Sequence, residues 1–118
     1  MKILLDENLP VELAEILPEA ETLAGRGWLQ VRNGELLRLA EGHFDLLLTM
    51  DKGILYQHNH RNRRMRIAVL SAPNSRIESI VPLVPNLRDF IETSLPGTLA
   101  IIRVDSVEVV ASSPTDIA

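Results

Sequence analysis

Residues 1–10, MKILLDENLP, decide the fold: a short apolar strand over residues 2–5 runs straight into Asp6, Glu7 and Asn8. In an open parallel sheet, ligands bind in the crevice beyond the carboxyl ends of the strands, so carboxylates at a strand end mark one wall of a site. A second stretch ends the same way. Residues 44–51, FDLLLTMD, form a near-continuous apolar run closed by Asp51, the pattern of a central strand covered on both faces. Asp6 and Asp51 are therefore expected to face each other across one crevice, where two hard oxygen donors suit Mg²⁺ or Mn²⁺.

Outward from these two strands the chain alternates between helical and extended patterns. Residues 9–17 carry Leu9, Leu13, Ile16 and Leu17 at helical spacing, with Pro10 in the first turn and Asn8 as the expected N-cap. Residues 20–23 read as a weak strand, and residues 25–27 as a loop leading to Trp28, a surface anchor. From Asn33, NGELLRLAEGH predicts a helix with Leu36, Leu37, Leu39 and Ala40 inward and Gly42 as its stop. Residues 67–70 restore a buried strand. Apolar spacing from Ile77 to Ile91 persists through Pro82 and Pro85, which predicts two short helices or one kinked one. Residues 99–104 and 107–110 read as a closing hairpin across Asp105 and Ser106, leaving a frayed tail over 111–118. The expected architecture is one α/β domain over residues 1–110, a three-layer sandwich around a mainly parallel sheet.

The composition bounds the function classes. A chain of 118 residues with 46% hydrophobic and 24% charged residues is large enough for a real core and too apolar for disorder. Aromatic residues make up 3%, so stacking platforms for single-stranded bases are scarce. The formal net charge of -4 gives no global field that attracts a polyanion, and only a local patch can do so. The absence of cysteine excludes disulfides and thiol chemistry and permits the cytoplasm, the expected compartment. No apolar run approaches the roughly eighteen residues that span a bilayer, and neither a signal peptide nor a membrane helix is expected.

Three acids, Asp6, Glu35 and Asp51, occupy two expected strand ends and one helix start, the arrangement a metal-dependent hydrolase uses. Bound metal would offset their mutual repulsion, lower the pKa of coordinated water and stabilise charge on a phosphodiester. The competing reading is that each acid caps a helix or faces solvent, and for Glu35 the helix dipole alone accounts for a carboxylate in the first turn. The basic run from His58 to Arg66 places Arg61, Arg63 and Arg64 where they could grip phosphates, or else in a solvated loop. His43, His58 and His60 have no zinc spacing. Asp45 precedes its strand and belongs at the opposite sheet end.

LLDENLP at the start, NGELLRLA in the middle and LLLTMD followed by YQHN resemble the PIN-like proteins of the DUF5615 family, related to the Mut7-C and PIN nuclease domains. The motifs stand in the family's order, and the match runs from Met1 to about Val104. The resemblance implies a PIN-like fold and, for the wider PIN group, Mg²⁺- or Mn²⁺-dependent cleavage of RNA, frequently as the toxin of a toxin–antitoxin pair. By position it makes Asp6, Glu35 and Asp51 the metal-binding and catalytic acids. It matches Gln57 and Asn59 to polar positions of the YQHN segment; together with Asn8, and with Arg61, Arg63 and Arg64 of the basic run, they are the candidate substrate contacts. RNA, an antitoxin protein and a second copy of the chain are the partners it suggests, with no membrane. Relatives often carry Asp or Asn two residues after the third acid, where this chain has Gly53, so a binding module that has lost its chemistry is the alternative; if Gly53 has cost the site a required ligand, turnover is expected to be feeble and Asp at position 53 to raise it. A receiver-like signalling domain fits the length and the acids but wants a late lysine, and the only lysines are Lys2 and Lys52. A haloacid-dehalogenase-like phosphatase wants Asp where Asn8 stands.

Overall fold

Leu46–Thr49 (β3) is buried at all four positions, as expected when helices cover both faces of a parallel strand. The computed structural model describes residues 1–56 and 63–111. Around β3 stand β1 (Ile3–Leu5), β2 (Ala20–Thr22), β4 (Arg66–Leu70), β5 (Leu99–Ile102) and β6 (Val107–Ala111), in the spatial order β2-β1-β3-β4-β5-β6. The first five are mutually parallel and β6 is antiparallel to β5. The chain steps outward from β1 to β2, then returns to the other side of β1 as β3. That reversal opens a crevice between the carboxyl ends of β1 and β3.

Alternation along the strands sorts the core into two halves. Ile3, Leu5, Leu46, Leu48, Ala68 and Leu70 point to one face. There they meet Leu13 of α1 (Leu13–Ile16), Ile80 of α4 (Ile77–Ile80), and Leu87 and Phe90 of α5 (Val84–Thr93). Leu4, Leu47, Ile67 and Val69 point to the other, against Leu23 of α2 (Leu23–Arg26), Leu36, Leu37 and Ala40 of α3 (Asn33–Ala40), and Ile54 of the 3₁₀ turn Lys52–Tyr56. Helices thus flank a mostly parallel sheet on both faces. Among the described residues no helix is long and apolar enough to cross a membrane.

Several local expectations change in detail. The first helix shrinks to one turn, because the N–H groups of Leu13, Ala14 and Glu15 bond three residues back to Pro10, Val11 and Glu12, in turns tighter than an α-helix. Asn8 does not cap it; its amide is spent on β3. Trp28 is the anchor expected, edge-on to Phe44 at 6.1 Å between ring centroids, with the Arg26 guanidinium over both rings. The prolines break the second helical stretch as expected, with a 3₁₀ turn over Val81–Leu83 joining α4 to α5. Ala111, placed in the frayed tail by its sequence, closes β6, and residues 112–118 lie outside the described residues.

Leu47 is fully buried while Val109 on β6 is 60% exposed. Leu47→Ala is expected to cost about 3 kcal/mol through lost transfer energy and a cavity, and Val109→Ala less than about 0.5 kcal/mol. Urea unfolding midpoints measure both, and equal shifts would contradict the two-sided burial of β3.

Candidate functional site

Parallel pairing of β1 with β3 sets Leu5 opposite Leu48, and the pairing runs one bond further: the Asp6 N–H donates to the Leu48 carbonyl at 2.9 Å. Asp6 is thereby held level with Thr49, the last residue of β3. The Thr49 hydroxyl, wholly buried, donates to Asp6 Oδ2 at 2.6 Å. It also accepts the Asp51 N–H at 3.0 Å and the Asn8 Nδ2 amide at 3.4 Å. Asn8 Oδ1 accepts the Met50 N–H at 3.3 Å, so the loops after both strands are laced together. Asp6 itself is 8% exposed, and its Oδ1 accepts the Glu7 N–H at 2.8 Å. Each carboxylate oxygen of Asp6 retains acceptor capacity beyond these bonds.

Asp51, exposed, stands on the other side of the crevice. Its Oδ1 accepts the Gly53 N–H at 2.8 Å, and a Cβ at position 53 would lie 3.0 Å from that oxygen. The glycine lets the backbone fold tightly onto the carboxylate. A Cβ there makes a tight contact that the exposed Asp51 carboxylate would relieve by shifting a few tenths of an ångström.

A cleft of about 820 Å³ opens over these strand ends. Asp6, Glu7, Glu35 and Asp51 all line it, with Asn8 from the first loop and Gln30, Val31, Arg32 and Gly34 from the approach and first turn of α3. Gln30 has a positive φ of 65°, a left-handed conformation that turns the chain into α3. The three acids singled out in the sequence therefore share one cavity. Thr49, Gln30 and Arg32 were missed. Thr49 carried a signal, a hydroxyl two residues before a strand-end acid; Gln30 and Arg32 sit in a loop with no pattern of their own.

The donor set is hard oxygen and fits Mg²⁺ or Mn²⁺ in kind. Among the described residues, no three His, Asp or Glu side chains are grouped closely enough to hold one ion. Glu35 is paired along its helix with Arg38, both side chains well exposed. Such a surface pair is worth about 0.5 kcal/mol, so exchange of Arg38 for a cation is inexpensive.

Arg63 and Arg64 lie elsewhere. A parallel strand that follows β3 must begin back at the amino edge, so the chain just before β4 is carried to the end of the sheet opposite Asp51, a strand length of about 13 Å away. Arg63 is 8% exposed there with Nη1 3.9 Å from Glu41, and burial pushes its guanidinium pKa down while Glu41 partly restores it. Glu41 also accepts the Arg64 N–H at 3.1 Å. Arg64 lines a separate cavity of about 350 Å³ with Lys2, His43, Asp45 and Arg66. Asp45 is at this amino edge, as expected, accepting the Lys2 N–H at 2.7 Å. Arg63 and Arg64 thus do not meet the acids. Gln57, Asn59 and Arg61, with His58 and His60, lie outside the described residues.

Thr49→Val keeps the shape of the side chain and removes the donor to a buried carboxylate. It is expected to lower stability by about 2 kcal/mol, with Thr49→Ser close to wild type; denaturant titration distinguishes a hydroxyl effect from a packing effect. A comparison of the chain with protein-family models, curated proteins and solved structures finds no match.

Proposed function

We propose that the cleft is the active site of a PIN-like, Mg²⁺- or Mn²⁺-dependent endoribonuclease of the DUF5615 kind, acting in the cytoplasm as the toxin of a toxin–antitoxin pair. The observation that carries the reading is the convergence of Asp6, Glu35 and Asp51 on one cavity at the point where the strand order reverses. Asp6 and Asp51, with Glu35 once it leaves Arg38, would hold a divalent cation, which would supply charge stabilisation for a phosphodiester and activation of water. The protein's own part is to position the ligands. Thr49 orients Asp6, the Gly53 amide orients Asp51, and Asn8 ties the two loops, so the acids keep their places before any ion arrives. An antitoxin protein and a second copy of the chain are the protein partners that go with this reading.

A second reading, a PIN-like module that binds RNA without cutting it, draws on the engagement of Glu35 with Arg38. With Glu35 held by Arg38, the ion would rest on Asp6 and Asp51 with water completing its shell, a looser hold than three acids give.

Calorimetric titration with Mn²⁺ is expected to give heat with wild type and none with the Asp6→Asn, Asp51→Asn double variant. Thr49→Val should weaken Mn²⁺ about tenfold, as loss of a partner behind a ligand does. Identical heats in all three proteins would remove the metal from the reading.

Single-stranded RNA should be cleaved with Mg²⁺ or Mn²⁺, spared with chelator, and spared by Asp51→Asn. Gly53→Ala, which presses on Asp51, should lower cleavage rather than raise it. Metal binding with no cleavage across several RNAs would favour the binding module.

A further inference from the structure

Of the described residues that line the acidic cleft, Arg32 carries the only positive charge. Four carboxylates line the same cavity, yet the Arg32 side chain makes no hydrogen bond or ion pair with any described residue. Other described arginines are engaged. Arg38 is spent on Glu35, Arg26 lies over Trp28 and Phe44, and Arg63 is buried against Glu41. Arg32 also precedes the first turn of α3 without capping it, and its carbonyl, not its side chain, accepts the Leu36 N–H at 2.7 Å. Its guanidinium therefore serves neither the helix nor the acids, and it is exposed toward the cavity they share.

A polyanion approaching this cleft meets four carboxylates and, among the described lining residues, one cation, Arg32. The planar fork of an arginine matches two phosphate oxygens at once and suits that task better than an ammonium. The basic run before β4, which composition alone nominated for phosphate contact, offers no help to the acids from Arg63 and Arg64, because the parallel crossover delivers them to the other edge of the sheet. We propose that Arg32 is the residue that receives a backbone phosphate of the RNA strand and positions it over Asp6 and Asp51. The inference rests on the ribonuclease reading and adds to it the place at which the substrate is held. Arg32 is a substrate-positioning residue, distinct from the acids that would hold the cation.

The test is fluorescence anisotropy with a labelled single-stranded RNA in Mn²⁺ over a range of salt, with strand integrity checked on a gel and folding by circular dichroism. Arg32→Gln is expected to weaken binding about tenfold and to flatten the salt dependence by about 0.7 in log–log slope, the share of one phosphate contact on a single strand. Arg32→Lys should keep the slope, since charge is retained, and recover affinity only in part, since the fork is lost. Arg64→Gln is the rival variant. A loss of slope in Arg64→Gln with none in Arg32→Gln would overturn the proposal and return phosphate contact to the far edge. If wild type cleaves RNA and Arg32→Gln binds it equally well, the positioning role falls while the ribonuclease reading stands. If wild type neither binds nor cleaves RNA, both fall together.

Discussion

The cleft and the acids that line it depend on the parallel pairing of β1 and β3. A parallel pair ends both strands at the same edge, and the single added bond from the Asp6 N–H to the Leu48 carbonyl brings the first acid level with Thr49. The threonine hydroxyl then does two opposite things with one oxygen, donating to Asp6 and accepting from the Asp51 backbone. Residues separated by more than forty positions become one unit through that oxygen. Its burial matters, because a charge-assisted hydrogen bond shielded from water is both stronger and costlier to lose.

The strands can converge this way because the layers on either side are complete. β3 is buried at all four positions, so its backbone is held by β1 and β4 and its side chains by both halves of the core. Loops that spring from such an element inherit its rigidity, and the side chains at their bases have little conformational entropy left to lose. Asp51, one residue pair beyond the strand, has more freedom, which is why the close approach of Gly53 is useful: its amide steadies a carboxylate that is otherwise exposed.

Charge is segregated along the strand direction. Acids collect beyond the carboxyl edge, while Lys2, His43, Arg64 and Arg66 collect at the amino edge beside Glu41 and Asp45. Part of the basic edge is structural. Arg66 donates from Nε and Nη2 to Ser94, and the buried Arg63 leans on Glu41, a carboxylate that also accepts the first amides of the chain leading into β4. Buried cations of this kind are held in place by their partners more than they contribute to stability. Among the described residues, the arginines of the basic stretch thus serve the amino edge of the sheet in part as structural groups.

How much was legible beforehand follows from the range of the interactions involved. Strand identity, the helices over Asn33–Ala40 and around the two prolines, the closing hairpin and the three acids came from apolar spacing, turn residues and the position of carboxylates at strand ends, all of which are local. The same reasoning already implied that residues before β4 return to the amino edge, and applied consistently it would have parted Arg63 and Arg64 from Asp6 and Asp51. By itself, then, the sequence determined the α/β class, the two apolar central strands and which acids terminate them. Only the tertiary structure decided that Asn8 serves Thr49 and not a helix, that Gly53 folds against Asp51, and that Arg32 faces the acids while Arg63 and Arg64 do not. Those outcomes depend on which strand ends share an edge and how far a side chain reaches across it, and residue spacing along the chain carries no record of distances between strands.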